Sequence, residues 1–281
     1  MIRQPTSNIP LAVLAVAVLA VVGSACGTQS SKPTNTSGTP VEPSSLPHKP
    51  SSQFPSPVSA ALGSLDLHAS IPLLAPLTTP ANLSAKTTSA ESGYTVSLYR
   101  CESQLPLNSP EIGNSPNCSG LAPYVGEFGG THYPTAATAS LRLVTSQNQQ
   151  ARFCGPKTNS SQRVRLVQEV RGVLTGTKGV SGYCEMRFEL NGWSVLLGGN
   201  AALYSIAGAT QEGLRVIDLM TKIRMPAKTG IIVIQTVGDG NHTWLTWTLG
   251  QNLYTVSDYH FTSTAFAMAG SIAMFGMNSA K

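Results

Sequence analysis

Residues Ile231 to Tyr259, "IIVIQTVGDGNHTWLTWTLGQNLYTVSDY", contain three runs rich in β-branched and aromatic residues. The segments "GDGN" and "GQN" separate these runs, and Gly, Asp and Asn are residues that tight turns favour. Within "TWLTWTL", threonine alternates with Trp or Leu over part of the run, as in a strand with one buried face. Trp244 and Trp247 are three residues apart and therefore belong to opposite faces of that strand. The stretch predicts a three-stranded antiparallel meander.

A similar order of elements comes just before the meander. The β-rich runs Cys184–Leu190 and Trp193–Gly199 flank the dipeptide Asn-Gly, the strongest short-range signal for a hairpin. After the hairpin, Thr210–Pro226 places apolar residues at helical spacing, and Thr264–Phe275 does the same after the meander. The order strand–turn–strand–helix therefore occurs twice. We expect the first helix to bury one apolar stripe: Leu214, Ile217, Met220 and Ile223.

Each of these strand pairs carries an aromatic residue, a hydroxyl residue and valine in succession. The triplets are Trp193–Val195 and Tyr254–Val256, and Tyr94–Val96 is a third copy. One interpretation is a repeated ββα unit, and the other is that such triplets are ordinary strand composition. The predicted fold class is α+β, with antiparallel β-hairpins and a meander and with helices packed on one face of the sheet.

The middle of the chain, residues 106–141, is rich in Gly, Pro and Asn and has little periodicity. We expect long loops there. Two later runs have the β-branched composition of strands, namely "ASLRLVT" (Ala139–Thr145) and "QRVRLVQEVRGVL" (Gln162–Leu174).

The N-terminus has the features of an export signal. Arg3 precedes an uncharged apolar run, Ile9–Val22, which is too short to span a bilayer comfortably but suits the core of a signal peptide. Three small residues, Gly23–Ala25, follow it, and a signal peptidase requires small side chains before its cut. We expect residues 1–25 to form a signal peptide.

Cys26 follows these small residues, and the stretch up to it resembles the lipobox of bacterial lipoproteins. In that family a short apolar run ends in a cysteine that receives a diacylglycerol before cleavage. Ser24, Ala25 and Cys26 match the pattern, whereas Gly23 stands where the family usually has an aliphatic residue. The resemblance implies that Cys26 carries lipid, with acyl chains such as palmitate, and holds the protein at the outer face of the cell membrane. The alternative is an ordinary cut after Ala25 that leaves Cys26 without a role.

Ser, Thr, Pro and Asn dominate the segment 26–60. It contains too few apolar residues to offset the chain entropy lost on folding, so we expect a disordered tether. Residues 61–281 are left for an extracytoplasmic globular region, either as one domain or as sub-domains 61–180 and 181–281.

Four cysteines remain besides Cys26, and an even number in an exported chain favours two disulfides. Three pairings exist, and we favour Cys101–Cys118 with Cys154–Cys184 because each closes a loop rich in Gly, Pro and Asn. A zinc site is the rival interpretation, but the sequence contains no CxxC motif and no matching histidine spacing. We therefore expect neither a metal nor a cofactor.

The formal net charge of +5 comes from scattered Lys and Arg residues without interleaved aromatic residues. This distribution argues against nucleic-acid binding. It permits a mild attraction to anionic lipid or to a wall polymer, although a merely solvated basic face is the simpler explanation. The expected partners are the membrane, through the lipid anchor, and an envelope protein or wall polymer.

The C-terminal stretch His242–Ile272 is similar to a module of uncharacterised function that lies outside the membrane in some bacterial anti-sigma factors and sporulation lipoproteins. The shared pattern is a strand with Trp, a Gly turn, Tyr-x-Val and a helix like "MAGSI". The resemblance implies an extracytoplasmic α+β domain associated with envelope processes, and it brings no catalytic residue with it.

The sequence lacks the short motifs of common enzymes, among them GxSxG, HExxH, the Walker loop and SxxK. Asp239 and His242 lie in a Gly-rich turn. They could be read as an acid–base pair, but a structural role in the turn is the favoured interpretation. His132 and Tyr133 follow two glycines and form a weak ligand-binding candidate, whose alternative is a loop held by packing of the tyrosine.

These observations predict a membrane-anchored extracytoplasmic lipoprotein that is not an enzyme. We expect a binding, scaffold or sensory role at the cell envelope. The alternatives are a carrier of lipid or another hydrophobic ligand and, from a different class, a cell-wall hydrolase.

Overall fold

The computed structural model describes residues 46–65, 71–114, 118, 123–150, 157–177, 182–199, 205–237 and 240–276. These residues form thirteen strands and four α-helices. The strands are β1 (His48–Pro50), β2 (Leu74–Pro76), β3 (Leu83–Ala90), β4 (Gly93–Arg100), β5 (Tyr124–His132), β6 (Lys157–Arg165), β7 (Arg171–Thr177), β8 (Glu185–Leu190), β9 (Trp193–Gly199), β10 (Gly230–Val237), β11 (Gly240–Leu249), β12 (Asn252–Asp258) and β13 (Ile272–Gly276). The helices are α1 (Ser56–Gly63), α2 (Ala136–Gln150), α3 (Ile206–Lys222) and α4 (Thr262–Gly270).

Ten strands form one large sheet in the order β3-β4-β5-β12-β11-β10-β9-β8-β7-β6. Every neighbouring pair is antiparallel except β9 and β10, which are parallel. A parallel pair requires a crossover connection, and α3 supplies it. The predicted α+β class is confirmed.

The remaining three strands form a small sheet in the order β1-β13-β2. Leu46 and Phe54 near its N-terminal strand are buried in the core, and the Phe54 ring lies 5.2 Å from that of Phe275. Because these two side chains are buried, residues 46–54 have the apolar contacts that a disordered tether lacks. Residues 46–60 therefore belong to the folded region and not to the tether that was predicted for 26–60.

The predicted meander is confirmed as β10-β11-β12, and the predicted hairpin is confirmed as β8-β9. Asn191 and Gly192 join the hairpin with φ angles of 51° and 82°. A two-residue type I′ turn needs both central residues in this left-handed region, which Asn and Gly adopt most readily.

The large sheet has two unlike faces because successive side chains of a strand point to opposite sides. The core face carries fully buried side chains such as Val96, Val195, Leu245 and Val256, which form one cluster with helix residues. The opposite face is called the second face below. Trp247 is buried on the core face and Trp244 is half-buried on the second face, as the spacing predicts.

Three of the four helices, α1, α3 and α4, contribute buried side chains to the core cluster. Helix α2 instead packs on the second face, where its Leu143 contacts a cluster of Leu196, Ile231, Val233 and Trp244. The central strands β9 and β10 carry apolar side chains on both faces and so need a cover on each. The expectation of helices on one face holds for three helices and fails for α2.

Helix α2 was predicted as a strand from "ASLRLVT", and that prediction is wrong. Its large apolar side chains are mostly in solvent, with Leu141 66% and Val144 51% exposed. Ala139, Leu143 and Gln147 face the sheet at a spacing of four residues. A narrow stripe that includes Gln produces little helical periodicity in the sequence.

The segment predicted as a loop before α2 contains β5, a central strand of the large sheet. Three of its nine residues are glycines, which is unusual for a strand interior. At Gly130 a Cβ atom would lie 2.7 Å from the Tyr254 ring, so a side chain there would displace a buried aromatic residue. Close packing therefore requires a composition that is typical of loops.

Helix boundaries differ from those predicted. Helix α3 begins after Ser205, whose hydroxyl accepts a hydrogen bond from the Gly208 N–H at 3.1 Å, rather than near Thr210. Leu214 is 39% exposed, and the neighbouring Gly213 faces the core instead. Helix α4 ends at Gly270, and the rest of the predicted helical run forms β13.

Hairpin-then-helix occurs twice, as β8-β9-α3 and β11-β12-α4. The third aromatic triplet lies on β4, which a disulfide-closed loop follows instead of a helix. Strands β7 and β8 pair across the boundary at residue 180. One sheet therefore spans both of the sub-domains considered above.

No helix in the described ranges is long and apolar enough to cross a membrane. Residues 1–45 lie outside those ranges, and with them the predicted signal peptide, Cys26 and most of the tether.

Candidate functional site

A groove lined by residues of α4 has a volume of about 440 Å³. We call it the α4 groove. Its lining includes Thr78, Pro80, Arg100, Phe261, Ala267 and Met268. Its volume falls in the range of about 300–1,000 Å³ that is common for small-molecule sites.

The turn from β12 into α4 forms one end of this groove. Asp258 is buried, and its carboxylate accepts hydrogen bonds from the backbone N–H groups of His260 (2.9 Å) and Phe261 (2.6 Å). Burial raises the pKa of the Asp258 carboxyl group, and the two amide donors oppose that shift. This turn leaves the Phe261 side chain 55% exposed at the mouth of the groove.

The connection from β2 to β3 forms the opposite wall. The Thr78 N–H and hydroxyl both donate to the Ser271 hydroxyl, at 3.2 Å and 2.9 Å, which ties this connection to the C-terminus of α4. Arg100, at the end of β4, is exposed beside the groove, and its backbone N–H donates to Pro123 O at 2.7 Å. The groove therefore combines apolar side chains with hydroxyl groups and one cation.

A second, polar groove lies on the second face of the sheet and has a volume of about 190 Å³. We call it the sheet groove. Glu127 and Thr131 on β5 line it, together with Thr95 on β4, Thr255 on β12 and Trp244 on β11. Neighbouring strands bring these side chains together because their registers place Thr95, Gly129 and Thr255 in one row across the sheet.

An aromatic cluster adjoins the sheet groove. The Tyr124 hydroxyl forms hydrogen bonds with Glu127 and Ser257, and burial and Glu127 both raise the pKa of that phenol. The His242 ring lies 3.6 Å from the Trp244 ring and 4.6 Å from the Tyr259 ring. Burial, with a smaller contribution from nearby His260, lowers the pKa of His242 to about 4, so its imidazole is neutral at neutral pH.

His132 and Tyr133, the weak ligand-binding candidates, lie at the far end of β5. The His132 Nδ1 atom is 2.8 Å from the Asn252 side-chain oxygen, and the Tyr133 backbone N–H donates to Gln251 O at 2.9 Å. Neither residue lines the α4 groove or the sheet groove as described. These contacts join β5 to β12, and the proposal of a ligand site here gains no support from them.

The cysteines follow the favoured pairing where they are described. Cys101 and Cys118 form a disulfide, and both residues are buried. Cys184 is buried and disulfide-bonded. Cys154 lies outside the described residues, so its pairing with Cys184 stays a prediction, as does the lipidation of Cys26.

Arg100 and Glu127 are the charged residues of the two grooves, and the sequence analysis singled out neither. Arg100 is the last residue of β4 and comes directly after its alternating polar and apolar residues. This position in the sequence is the signal that could have marked Arg100 as the exposed end of a strand. Glu127 lies in a glycine-rich segment whose composition predicts a loop, so the sequence does not indicate that Glu127 is on a strand of the sheet.

Within the described ranges, no group of three or more His, Cys, Asp or Glu side chains is arranged to hold a metal ion. Comparison of the chain with protein-family models, with curated proteins and with solved structures found no match.

Proposed function

We propose that this chain is a lipid-anchored protein of the extracytoplasmic cell envelope that binds a small anionic amphiphile in the α4 groove and acts through that binding. The observation that carries the proposal is the α4 groove itself, with its apolar lining and one cation. Cys26 and the tether would hold the groove close to the membrane, where amphiphiles are concentrated.

The apolar part of the ligand is inferred from the lining. Pro80, Phe261, Ala267 and Met268 present apolar atoms to the groove, and Phe261 is largely exposed to water without a ligand. Covering such surface contributes about 25 cal/mol for each Å² removed from water. An alkyl chain along α4 would cover it.

The anionic part of the ligand is inferred from Arg100. Among the described residues no acidic side chain lies within ion-pair distance of Arg100. The nearby Asp258 carboxylate accepts two backbone hydrogen bonds, and Arg100 makes the smallest of the contributions that lower its pKa. A guanidinium group at the rim of an apolar groove favours a carboxylate or phosphate head group.

A binding role is favoured over a catalytic one by the contacts of the two histidines considered for chemistry. The His132 ring is hydrogen-bonded to the Asn252 amide, and the His242 ring is packed against Trp244 and Tyr259. Each ring is thus held by a structural contact.

A carrier of hydrophobic ligands is the second candidate function, and the same groove favours it. A carrier and a receptor differ in how tightly the ligand is held, so a carrier would retain its ligand through purification. Mass spectrometry of the purified chain under native conditions distinguishes the two.

A groove-filling variant tests the proposed site. Ala267 is exposed on α4, so Ala267→Phe would occupy the groove without entering the core. We expect the full chain to bind lauric acid in calorimetric titration below its micellar concentration, and the variant to bind at least about tenfold more weakly. Ala207→Phe on the exposed first turn of α3 is the matched control. Equal affinity in all three proteins would refute the assignment of the groove.

A further inference from the structure

We propose that the sheet groove is a second binding site, for an uncharged glycan chain. This inference goes beyond the proposed function, because the sheet groove and the α4 groove share no lining residue.

The shape of the site suits an extended ligand. Besides the cavity of about 190 Å³ under Trp244, an adjoining cavity of the same volume continues toward the β3-β4 hairpin. The two cavities share Tyr94, Thr95 and Thr131 in their linings, so they adjoin each other along β4 and β5.

The residues that line the two cavities supply six Ser and Thr hydroxyl groups. They come from Thr88, Ser89, Ser92, Thr95, Thr131 and Thr255. Hydroxyl groups both donate and accept hydrogen bonds, as do the hydroxyl groups of a sugar. Such a surface can therefore pair with a polyol in several rotamers without leaving a buried donor or acceptor unpaired.

Glu127 supplies the one carboxylate of the groove. The Tyr124 hydroxyl is hydrogen-bonded to it from one side. The Glu127 backbone N–H donates to Ser257 Oγ at 3.3 Å, which fixes the backbone that carries the carboxylate. A carboxylate has about four lone-pair sites. Those that remain can accept hydrogen bonds from two neighbouring sugar hydroxyls, and charge-assisted bonds of this kind are roughly twice as strong as neutral ones.

Trp244 supplies an apolar surface beside these polar groups. The His242 ring packs on it at 3.6 Å, and Leu143 of α2 packs against it from the second-face cluster. An indole ring fixed in this way loses little conformational entropy when a ligand covers its exposed part. The C–H face of a sugar ring is the complement of such a surface.

The charge of the lining argues for an uncharged ligand. None of the described residues that line either cavity is Lys or Arg. An anionic polymer would meet the Glu127 carboxylate without a compensating cation, and like charges at close range repel.

A peptide strand is a poorer fit than a glycan. Strands β4, β5 and β12 are interior strands whose backbone groups pair with neighbours on both sides. Peptides that add to a sheet need an unpaired edge, and other peptides rely on apolar pockets for their side chains. The sheet groove has neither an unpaired sheet edge nor apolar pockets of this kind, and it offers hydroxyl groups instead.

The experiment is a calorimetric titration of the full chain with a cello-oligosaccharide, an N-acetylglucosamine oligomer and polygalacturonate. We expect at least one uncharged oligosaccharide to bind and the anionic polymer to bind more weakly. Thr255→Val removes a groove hydroxyl together with its 3.3 Å hydrogen bond to the Thr246 hydroxyl, and Glu127→Gln removes the charge. Each should weaken binding, Glu127→Gln by about tenfold.

Thr248→Val is the matched control, because Thr248 is a half-buried strand residue on the second face that lines neither cavity. Binding of neither uncharged oligosaccharide, tighter binding of polygalacturonate, or equal losses in Thr255→Val and Thr248→Val would each overturn the proposal. Ala267→Phe should leave the oligosaccharide affinity unchanged, so failure of the α4 groove and failure of the sheet groove give different results.

Discussion

The aromatic residues of the three sequence triplets share one packing role. Tyr94, Trp193 and Tyr254 are buried on the core face, and the polar tip of each bonds to a backbone group outside the large sheet. Trp193 Nε1 donates to Ala227 O at 3.1 Å, and the Tyr254 hydroxyl donates to Pro72 O at 3.1 Å. Each ring supplies apolar burial while its polar atom fixes a segment outside the large sheet.

Removal of the Tyr94 hydroxyl should cost more stability than removal of the Tyr254 hydroxyl. The Tyr94 hydroxyl accepts from Leu74 N–H and donates to Leu74 O, both at 2.8 Å, so Tyr94→Phe leaves two buried backbone groups unpaired. We expect Tyr94→Phe to lower the free energy of unfolding by about 1–3 kcal/mol and Tyr254→Phe by about 0.5–1.5 kcal/mol. Urea denaturation of both variants measures the difference. The reverse order would contradict this hydrogen-bond pattern.

His242 should make the stability of the protein depend on pH. Its pKa in the folded state is about 4, below the ordinary value of 6.5. Between those values the unfolded chain binds more protons than the folded one, so stability falls as the pH is lowered from about 7 toward 4. We expect His242→Phe to reduce this fall in urea denaturation series. An NMR titration of the His242 ring with a midpoint near 6.5 would disprove the explanation.

At the scale of elements, local chemistry predicts turns and amphipathic strands well. The Asn191-Gly192 turn and the alternating runs of the meander carry their signals within a few residues. Strand β5 and helix α2 do not, because the reasons for their composition lie elsewhere in the chain. Gly130 of β5 leaves room for the Tyr254 ring, and Gly126 and Gly129 lie close to the backbones of β12 and β4. The narrow apolar stripe of α2 packs against the second-face cluster.

Two turn glycines allow a comparison at this scale. Gly192 and Gly250 both have left-handed φ angles, 82° and 59°, which cost a non-glycine residue about 1–2 kcal/mol. A Cβ at Gly192 would lie 2.5 Å from Lys228 O, whereas at Gly250 no atom lies within 4 Å. We therefore expect Gly192→Ala to lower the thermal midpoint more than Gly250→Ala does. Equal shifts would show that the contact with Lys228 does not limit the turn.

At the scale of the whole molecule, the sequence indicates an α+β protein but does not indicate the strand order. Strand β5 pairs with β4 and β12, and the latter lies in the C-terminal meander. The α4 groove likewise combines Thr78, Arg100 and Phe261, which only the complete fold brings together. Long-range pairing of this kind leaves no local pattern for sequence analysis to detect.

The predicted anchor has its own test in cells. Cys26→Ala removes the only acceptor of the lipid that the lipobox resemblance implies, and we expect the protein to leave the membrane fraction. Thr28→Ala, two residues into the tether, is the matched control and should stay with the membrane. Retention of the Cys26→Ala protein in the membrane fraction would contradict lipid anchoring.

The central claim is that the α4 groove binds an amphiphile through its apolar lining and through Arg100. The most direct measurement compares the affinities of the full chain for lauric acid and for dodecanol, which share a chain length and differ in charge. We predict that the acid binds about tenfold more tightly than the alcohol and that Arg100→Gln removes this difference. Arg171→Gln, at an exposed position on β7, is the control and should retain the difference. Equal affinities for the two ligands in the unaltered protein, or a preference that survives Arg100→Gln, would contradict the claim.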